Sequence, residues 1–264
     1  MATAPGEETV SVRREAAVAV VELRRERKLN ALSTAMEERL DAAVASAEVR
    51  GSRCVVFAGG ARAFSAGADV TEFRDADAAS VAAYYAGTGG VYERIARLPQ
   101  PTLAAISGYC LGGGLELALA TDMRIADASA DFGLPEVGLG IIPSSGGVLR
   151  LTRAVGPARA KELILRGRRF GADEAHAVGL VAEVAGDALA RALEIANELA
   201  SLPPLAVRTA KATIDLAAES SREAAILMER LAYGMLAQTP DAQDAATAFT
   251  RKRGKAGSDP ERRL

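Results

Sequence analysis

The sequence contains no tryptophan and only one histidine, His176, in 264 residues. A single imidazole excludes metal sites built from several histidines. It also leaves a Ser-His-Asp or Cys-His mechanism one residue to use. With 6 Phe and 5 Tyr, stacking platforms for single-stranded nucleic acid are scarce. There are two cysteines, Cys54 and Cys110, both in apolar runs, which suits a reducing compartment better than a secreted disulfide scaffold. Lys and Arg number 32 against 34 Asp and Glu, a net charge of −2, so neither nucleic acid nor an anionic membrane has a basic face to bind. No run approaches the roughly 18 apolar residues of a membrane span. Met1 to Thr9, with Pro5, Gly6, Glu7 and Glu8, lacks the apolar stretch of a signal peptide. Arg262-Arg263-Leu264 is not a peroxisomal Ser-Lys-Leu address. The expectation is a cytoplasmic protein.

What is present is a globular composition, 49% hydrophobic and 25% charged. The length suits one large domain or slightly more, with a full core. Before about Pro157, short β-like runs alternate with helical stretches and glycine-rich turns. Strands are expected over 16–23, 53–58, 102–107 and 123–126. Thr34-x-x-Glu37 reads as a capping box opening a helix to about Glu48. Further helices are expected over 79–97 and 115–120. After Pro157 helices dominate, over 158–166, 188–200, 205–218, 221–236 and 242–252. No repeat of 20–50 residues is legible. Strand–helix alternation predicts an α/β fold.

Three segments carry the chemistry. In Ala63-Phe64-Ser65-Ala66-Gly67-Ala68-Asp69, small residues let backbone N–H groups approach a ligand, although a plain tight turn would use the same residues. Ala63-x-Ser65-x-Gly67 misses the first glycine of a nucleophile elbow. In Ser107 to Glu116, a strand runs into Gly112-Gly113-Gly114 and then a helix, which places an amide near Gly113 at a helix start. Close packing of strand on helix would also call for these glycines. Glu116 follows among leucines, either compensating the helix dipole or buried with a raised pKa. In the third segment, Phe132-Gly133-Leu134-Pro135-Glu136, a glutamate sits in an apolar loop, solvated or functional. Two amide donors and two carboxylates together suit chemistry at the carbons beside a carbonyl, with the amides holding an enolate oxygen and the carboxylates moving protons.

These segments resemble the crotonase superfamily, most closely the enoyl-CoA hydratases. Leu29-Asn30-Ala31-Leu32, Asp122 to Ala126, Gly146-Gly147-x-x-Arg150-Leu151, Ala175-x-x-x-Gly179-Leu180-Val181 and Ala248-Phe249-x-x-Lys252-Arg253 extend the likeness over essentially the whole chain. The resemblance implies a spiral of repeated ββα units over residues 1–200. It also implies a helical region over 201–264 that builds homotrimers or dimers of trimers. It assigns the oxyanion hole to the amides of Ala66 and Gly113, proton exchange at C2 to Glu136, and activation of the water adding at C3 to Glu116. Arg27, Lys28, Leu29 and the stretch Ala66, Gly67, Ala68, Asp69 align with the part that holds coenzyme A. Tyr233, Phe249 and Lys252 align with the helices at its adenine and phosphate end. The implied substrate is an acyl-CoA thioester, with no further cofactor and no metal. Related readings are a Δ3-Δ2 enoyl-CoA isomerase, which needs only the base at Glu136, and a non-catalytic RNA-binding relative, against which the net charge argues. The basic run Arg251-Lys252-Arg253-Gly254-Lys255 suits a solvated helix end or a CoA phosphate contact. Ser144-Ser145 and Cys110 depart from the family pattern near the pocket. His176 aligns with a surface position. Tyr84 and Tyr85 fall on a helix that often lines the acyl tunnel, or in the core.

Overall fold

Short runs of β-branched and small apolar residues form the strands, and amphipathic or alanine-rich stretches form the helices. The computed structural model describes residues 9–72 and 77–256; the segment read above for a leader, up to Glu8, and the Arg262–Leu264 end lie outside them. The described strands are β1 (Val10–Glu15), β2 (Val18–Leu23), β3 (Cys54–Ala58), β4 (Ala63–Ser65), β5 (Thr102–Ile106), β6 (Tyr109–Leu111), β7 (Met123–Asp127), β8 (Asp131–Gly133), β9 (Phe170–Gly171) and β10 (Glu183–Ala185). The helices are α1 (Thr34–Val44), α2 (Ala47–Arg50), α3 (Ala78–Ala86), α4 (Val91–Ala96), α5 (Gly113–Leu119), α6 (Gly147–Arg166, broken at Gly156), α7 (Ala172–Ala177), α8 (Ala188–Ser201), α9 (Pro204–Ala217), α10 (Arg222–Leu236) and α11 (Pro240–Ala256). The chain forms two units, one ending at Ser201 and one beginning at Leu202.

In the first unit, a six-stranded sheet runs in the order β1-β2-β3-β5-β7-β10, and a four-stranded sheet in the order β4-β6-β8-β9. The β1–β2 and β8–β9 pairs are antiparallel and the rest parallel. Strands β3, β5 and β7 each enter the large sheet, and each is followed by a short strand, β4, β6 or β8, in the small sheet. A helical segment completes each turn. This is a spiral of ββα units. The repeat is invisible in the sequence because β3, β5 and β7 begin at Cys54, Thr102 and Met123, intervals that differ more than twofold.

Both faces of the large sheet are buried, which is why its central strands read as continuous apolar runs. One face presents Val18, Val20, Cys54, Val56, Leu103 and Ile125 to a stripe of Ala188, Ala192, Ala196 and Ala200 on α8. The four-residue spacing of these alanines lines one face of the helix and allows close approach. The other face, with Val21, Val55, Phe57, Ala104 and Ile106, packs with α1, α4 and the small sheet. The second unit is α9, α10 and α11, and neither α9 nor α10 contains a buried residue.

Several expected boundaries change. The cap of α1 is Ser33, whose side chain accepts from Met36 N, and not Thr34. Thr34 instead donates its amide and its hydroxyl to Glu72 Oε2, both at 2.8 Å. Glu37 is thereby released from any capping box and turns inward. The helix expected over 79–97 is two, α3 and α4, separated by a 3-10 turn at Thr88–Gly90. The helix expected over 158–166 is the part of α6 that follows the non-helical Gly156; the part from Gly147 up to that break is additional.

Helix α5 lies so close to β4 that a methyl group on Gly114 would fall 2.4 Å from the Ser65 carbonyl oxygen. Backbone cannot yield there as a flexible side chain would. Gly114→Ala should therefore lower stability by about 1–3 kcal/mol, read by urea unfolding. An unchanged midpoint would show that helix and strand can part without cost.

Candidate active site

The turn after β4 is anchored from the segment before α1. Leu29 and Asn30 both adopt left-handed backbone conformations, at φ 51° and 54°. Asn30 is buried and donates Nδ2 to the carbonyls of Ala63 (3.0 Å) and Phe64 (3.2 Å), while its Oδ1 accepts from Arg25 N. Ser65 is fully buried and donates its hydroxyl to Asn30 O, which commits it to the fold and removes it as a nucleophile.

Hydrogen-bond accounting along this turn corrects one assignment. Ala66 N donates to Leu29 O at 2.9 Å, so it has no free donor for an oxyanion. Gly67 N donates to Ser65 Oγ, and Asp69 N to Leu32 O. Ala68 N has no partner among the described residues, and Ala68 is exposed. A methyl group added at Gly113 would lie 3.4 Å from Ala68 N, so the two turns adjoin. Gly113 is the first residue of α5, where an amide has no acceptor within the helix. The free donor pair is Ala68 and Gly113. Composition alone could not separate Ala66 from Ala68 in a run of small residues.

Glu116, on α5, is 4% exposed. Its Oε1 accepts from the backbone amides of Ser145 (2.7 Å) and Gly147 (2.9 Å). A side chain at position 147 would meet the Glu116 carboxylate at 2.8 Å, so only glycine admits this approach. Arg150 braces the loop by donating to Ser145 O and to Glu93. Burial pushes the Glu116 carboxyl above its usual range, opposed by the two amides and by Arg150. Ser144 and Ser145 thus do two jobs: Ser145 holds the carboxylate through its amide, and Ser144 Oγ accepts from the Tyr85 hydroxyl.

Glu136 opens a 3-10 turn, Glu136–Leu139, directly after Pro135. It is 9% exposed, and its Oε2 is buried with no hydrogen-bond partner among the described residues. A methyl group at Gly112 would come within 3.3 Å of its Oε1, which puts this carboxyl at the same glycine turn that carries Gly113. Burial raises its pKa to about 7, and the neighbouring Glu116 charge adds to the rise.

A third buried carboxylate was not anticipated as part of the site. Glu37 is 1% exposed, and its Oε1 accepts from the hydroxyls of Tyr84 (2.7 Å) and Tyr92 (2.8 Å). In sequence its only signal was polarity on the apolar face of α1. Tyr84 and Tyr85 are half-buried rather than core, with rings edge to face.

The remaining predicted positions take several parts. Arg27 and Lys28 are exposed in a 3-10 turn, and Leu29 is half-buried beside the first turn of the site. Gly67 is buried within that turn. The Asp69 carboxylate is taken by Arg25 (3.0 Å) and Thr71 (2.7 Å), so its side chain serves the fold; the Thr71 hydrogen bond leads in lowering its pKa. Tyr233 on α10 and Phe249 on α11 are exposed, and Lys252 falls on α11, all three in the second unit. Cys110 is fully buried on β6, and burial pushes its thiol pKa up. His176 is exposed, with Nδ1 against Val181 O. Among the described residues, no group of three or more His, Cys, Asp or Glu could hold a metal ion, and no helix is long and apolar enough to cross a membrane.

A family profile described as enoyl-CoA hydratase/isomerase matches residues 13–257. The short-chain-enoyl-CoA hydratase of Clostridium acetobutylicum is 38% identical over 248 residues, which covers 92% of this chain and 95% of the relative. A probable enoyl-CoA hydratase of Mycobacterium bovis is 39% identical over 249 residues, covering 93% and 96%. The crystal structure of an enoyl-CoA hydratase from Bacillus anthracis matches with a TM-score of 0.86 at 40% identity, over 93% of this chain and 97% of that one.

The raised pKa of Glu136 has a consequence for stability. The folded state holds this proton up to about pH 7, whereas an unfolded carboxyl releases it near 4.5. Between those values the folded state binds more protons, so rising pH destabilises it. The stability of Glu136→Gln relative to the unsubstituted protein should therefore increase from pH 4.5 to 7 and level off above, read as paired thermal midpoints. A pH-independent difference would show that the carboxyl is not held in its neutral form.

Proposed function

From the chain's membership of the enoyl-CoA hydratase/isomerase family, we propose that it is a hydratase converting 2-trans-enoyl-CoA thioesters to 3-hydroxyacyl-CoA. The observation that carries this reading is the pair of buried glutamates. One is anchored by two amides and one keeps a free oxygen with a pKa of about 7, and both adjoin the turns bearing the unpartnered amides of Ala68 and Gly113.

In this reading the thioester oxygen takes hydrogen bonds from Ala68 N and Gly113 N, and the same donors hold the enolate that forms as water adds. Such a donor is worth about 2.7–4 kcal/mol of barrier. Glu116 orients the water and accepts its proton as the oxygen bonds to C3. Glu136, with a pKa near neutrality, delivers a proton to C2. The product carries OH at C3 and the new hydrogen at C2. The proton gained by Glu116 and the one lost by Glu136 then re-equilibrate with solvent. The substrate brings its own coenzyme A, and no other cofactor or metal enters. An isomerase would need one base alone; the anchoring of Glu116, ready to orient a water, favours hydration. A cytoplasmic location accords with the bacterial relatives.

The second unit supports an oligomer. Its helices leave Ile214, Leu227, Leu231 and Phe249 between 56% and 68% exposed, apolar area that further copies of the chain would cover. The reading is a homotrimer or a pair of trimers.

Purified protein should hydrate crotonyl-CoA, followed by loss of enone absorbance, with activity unaffected by EDTA. Glu116→Gln and Glu136→Gln should each lower kcat by about 10²–10⁴-fold, and Glu136→Gln should also stop solvent exchange at C2. Faster turnover of a 3-enoyl ester than of the 2-enoyl ester would assign an isomerase instead. In sedimentation, the protein should run as a trimer or hexamer; a monomer at micromolar concentration would remove the oligomer.

A further inference from the structure

Helix α3 has little apolar burial to hold it in place. Among its described residues none is fully buried, and only Tyr84 and Tyr85 are half-buried. These two neighbours run to separate anchors. Tyr85 donates to Ser144, beside the loop whose amides hold Glu116, and Tyr84 donates to Glu37. The same Glu37 oxygen accepts from Tyr92, which is 2% exposed on α4. The Tyr92 hydroxyl lies 3.5 Å from where a methyl group on Gly113 would sit, next to Leu32 Cδ1 at 3.6 Å. One carboxylate oxygen therefore joins a lightly packed helix to the back of the glycine turn. Glu37 sits among Met36, Leu40, Ala43 and Val44, the buried residues of α1, where leucine would satisfy the packing. A carboxylate there, with its Oε2 unpartnered, is retained at a cost that packing does not explain.

We propose that Glu37 is a positioning residue that locks α3 to the Gly112–Gly113 turn through the hydroxyls of Tyr84 and Tyr92. The assignment rests on the reading of Gly113 as an oxyanion donor. Holding the turn against Tyr92 fixes the direction of the Gly113 amide, and holding Tyr84 fixes the position of α3.

The test compares Glu37→Leu, Glu37→Gln, Tyr92→Phe and Tyr84→Phe by steady-state hydration and by hydrogen–deuterium exchange. Glu37→Leu and Tyr92→Phe should lower kcat by roughly ten- to a hundredfold, with KM little changed. Both should accelerate amide exchange in the peptide spanning Gly112–Leu119. Glu37→Gln, whose amide oxygen still accepts from both phenols, should restore most of the kcat lost in Glu37→Leu. Tyr84→Phe should raise KM and accelerate exchange in α3 while leaving the Gly112–Leu119 peptide protected. If Glu37→Leu and Tyr92→Phe lose thermal stability but keep kcat, Glu37 is a packing residue and the assignment fails. Unchanged exchange over Gly112–Leu119 overturns it whether or not the protein hydrates any ester. Absence of hydration by the unsubstituted protein, with the exchange pattern as expected, would instead remove the proposed function.

Discussion

The Glu116 carboxylate is held in the interior by backbone amides rather than by a paired cation, and the layout of the site follows from that. A buried carboxylate without hydrogen bonds would cost several kcal/mol or take up a proton. Here the amides of Ser145 and Gly147 bear the charge, and they can do so only because position 147 has no side chain. Arg150 then fixes the loop from the other side through the Ser145 carbonyl. Glu136 keeps one oxygen without a partner among the described residues, and burial raises its pKa to about 7. Burial raises the proton affinity of both carboxyls, and their different hydrogen-bond partners give them different surroundings, as acid–base chemistry by a carboxyl pair requires.

The same accounting separates three interior glutamates. Glu37 Oε1 accepts from two phenols and Glu116 Oε1 from two amides, while Glu37 Oε2 and Glu136 Oε2 have no partner among the described residues. What sets Glu37 apart is where its bonded oxygen leads: to phenols on α3 and α4, whereas Glu116 and Glu136 adjoin the glycine turn.

Much of the frame was legible before any coordinates. Strands β3 and β5 are buried at every residue, so their apolar runs stand out in the chain. The three-residue strands β4, β6 and β8 did not, because glycine turns bound them and no alternation can develop over so few residues. Glu116 and Glu136 were legible as charges in apolar surroundings. The choice between Ala66 and Ala68 was not, since it turns on the carbonyl of Leu29, which takes the amide of Ala66 and leaves that of Ala68 free. The start of α1 misled for a related reason: Thr34 and Glu37 have capping-box spacing, but a distant Glu72 satisfies Thr34, and Glu37 has a different task. Contacts between residues far apart in the chain decide such cases, and local spacing does not record them.

The unequal coils of the spiral have an evolutionary corollary. Between β3 and β5 the chain accommodates α3 and α4, whereas between β5 and β7 it accommodates little more than α5. The short coil is the one that carries Gly113 and Glu116, and a residue gained or lost there would rotate a donor away from its acid. The long coil also carries Ala68 and the tyrosines of α3 and α4, and only its exposed stretches away from them can absorb insertions as surface loops do, at slight entropic expense. Changes of length are thereby best borne on the outside of the long coil, while the reactive constellation stays in register.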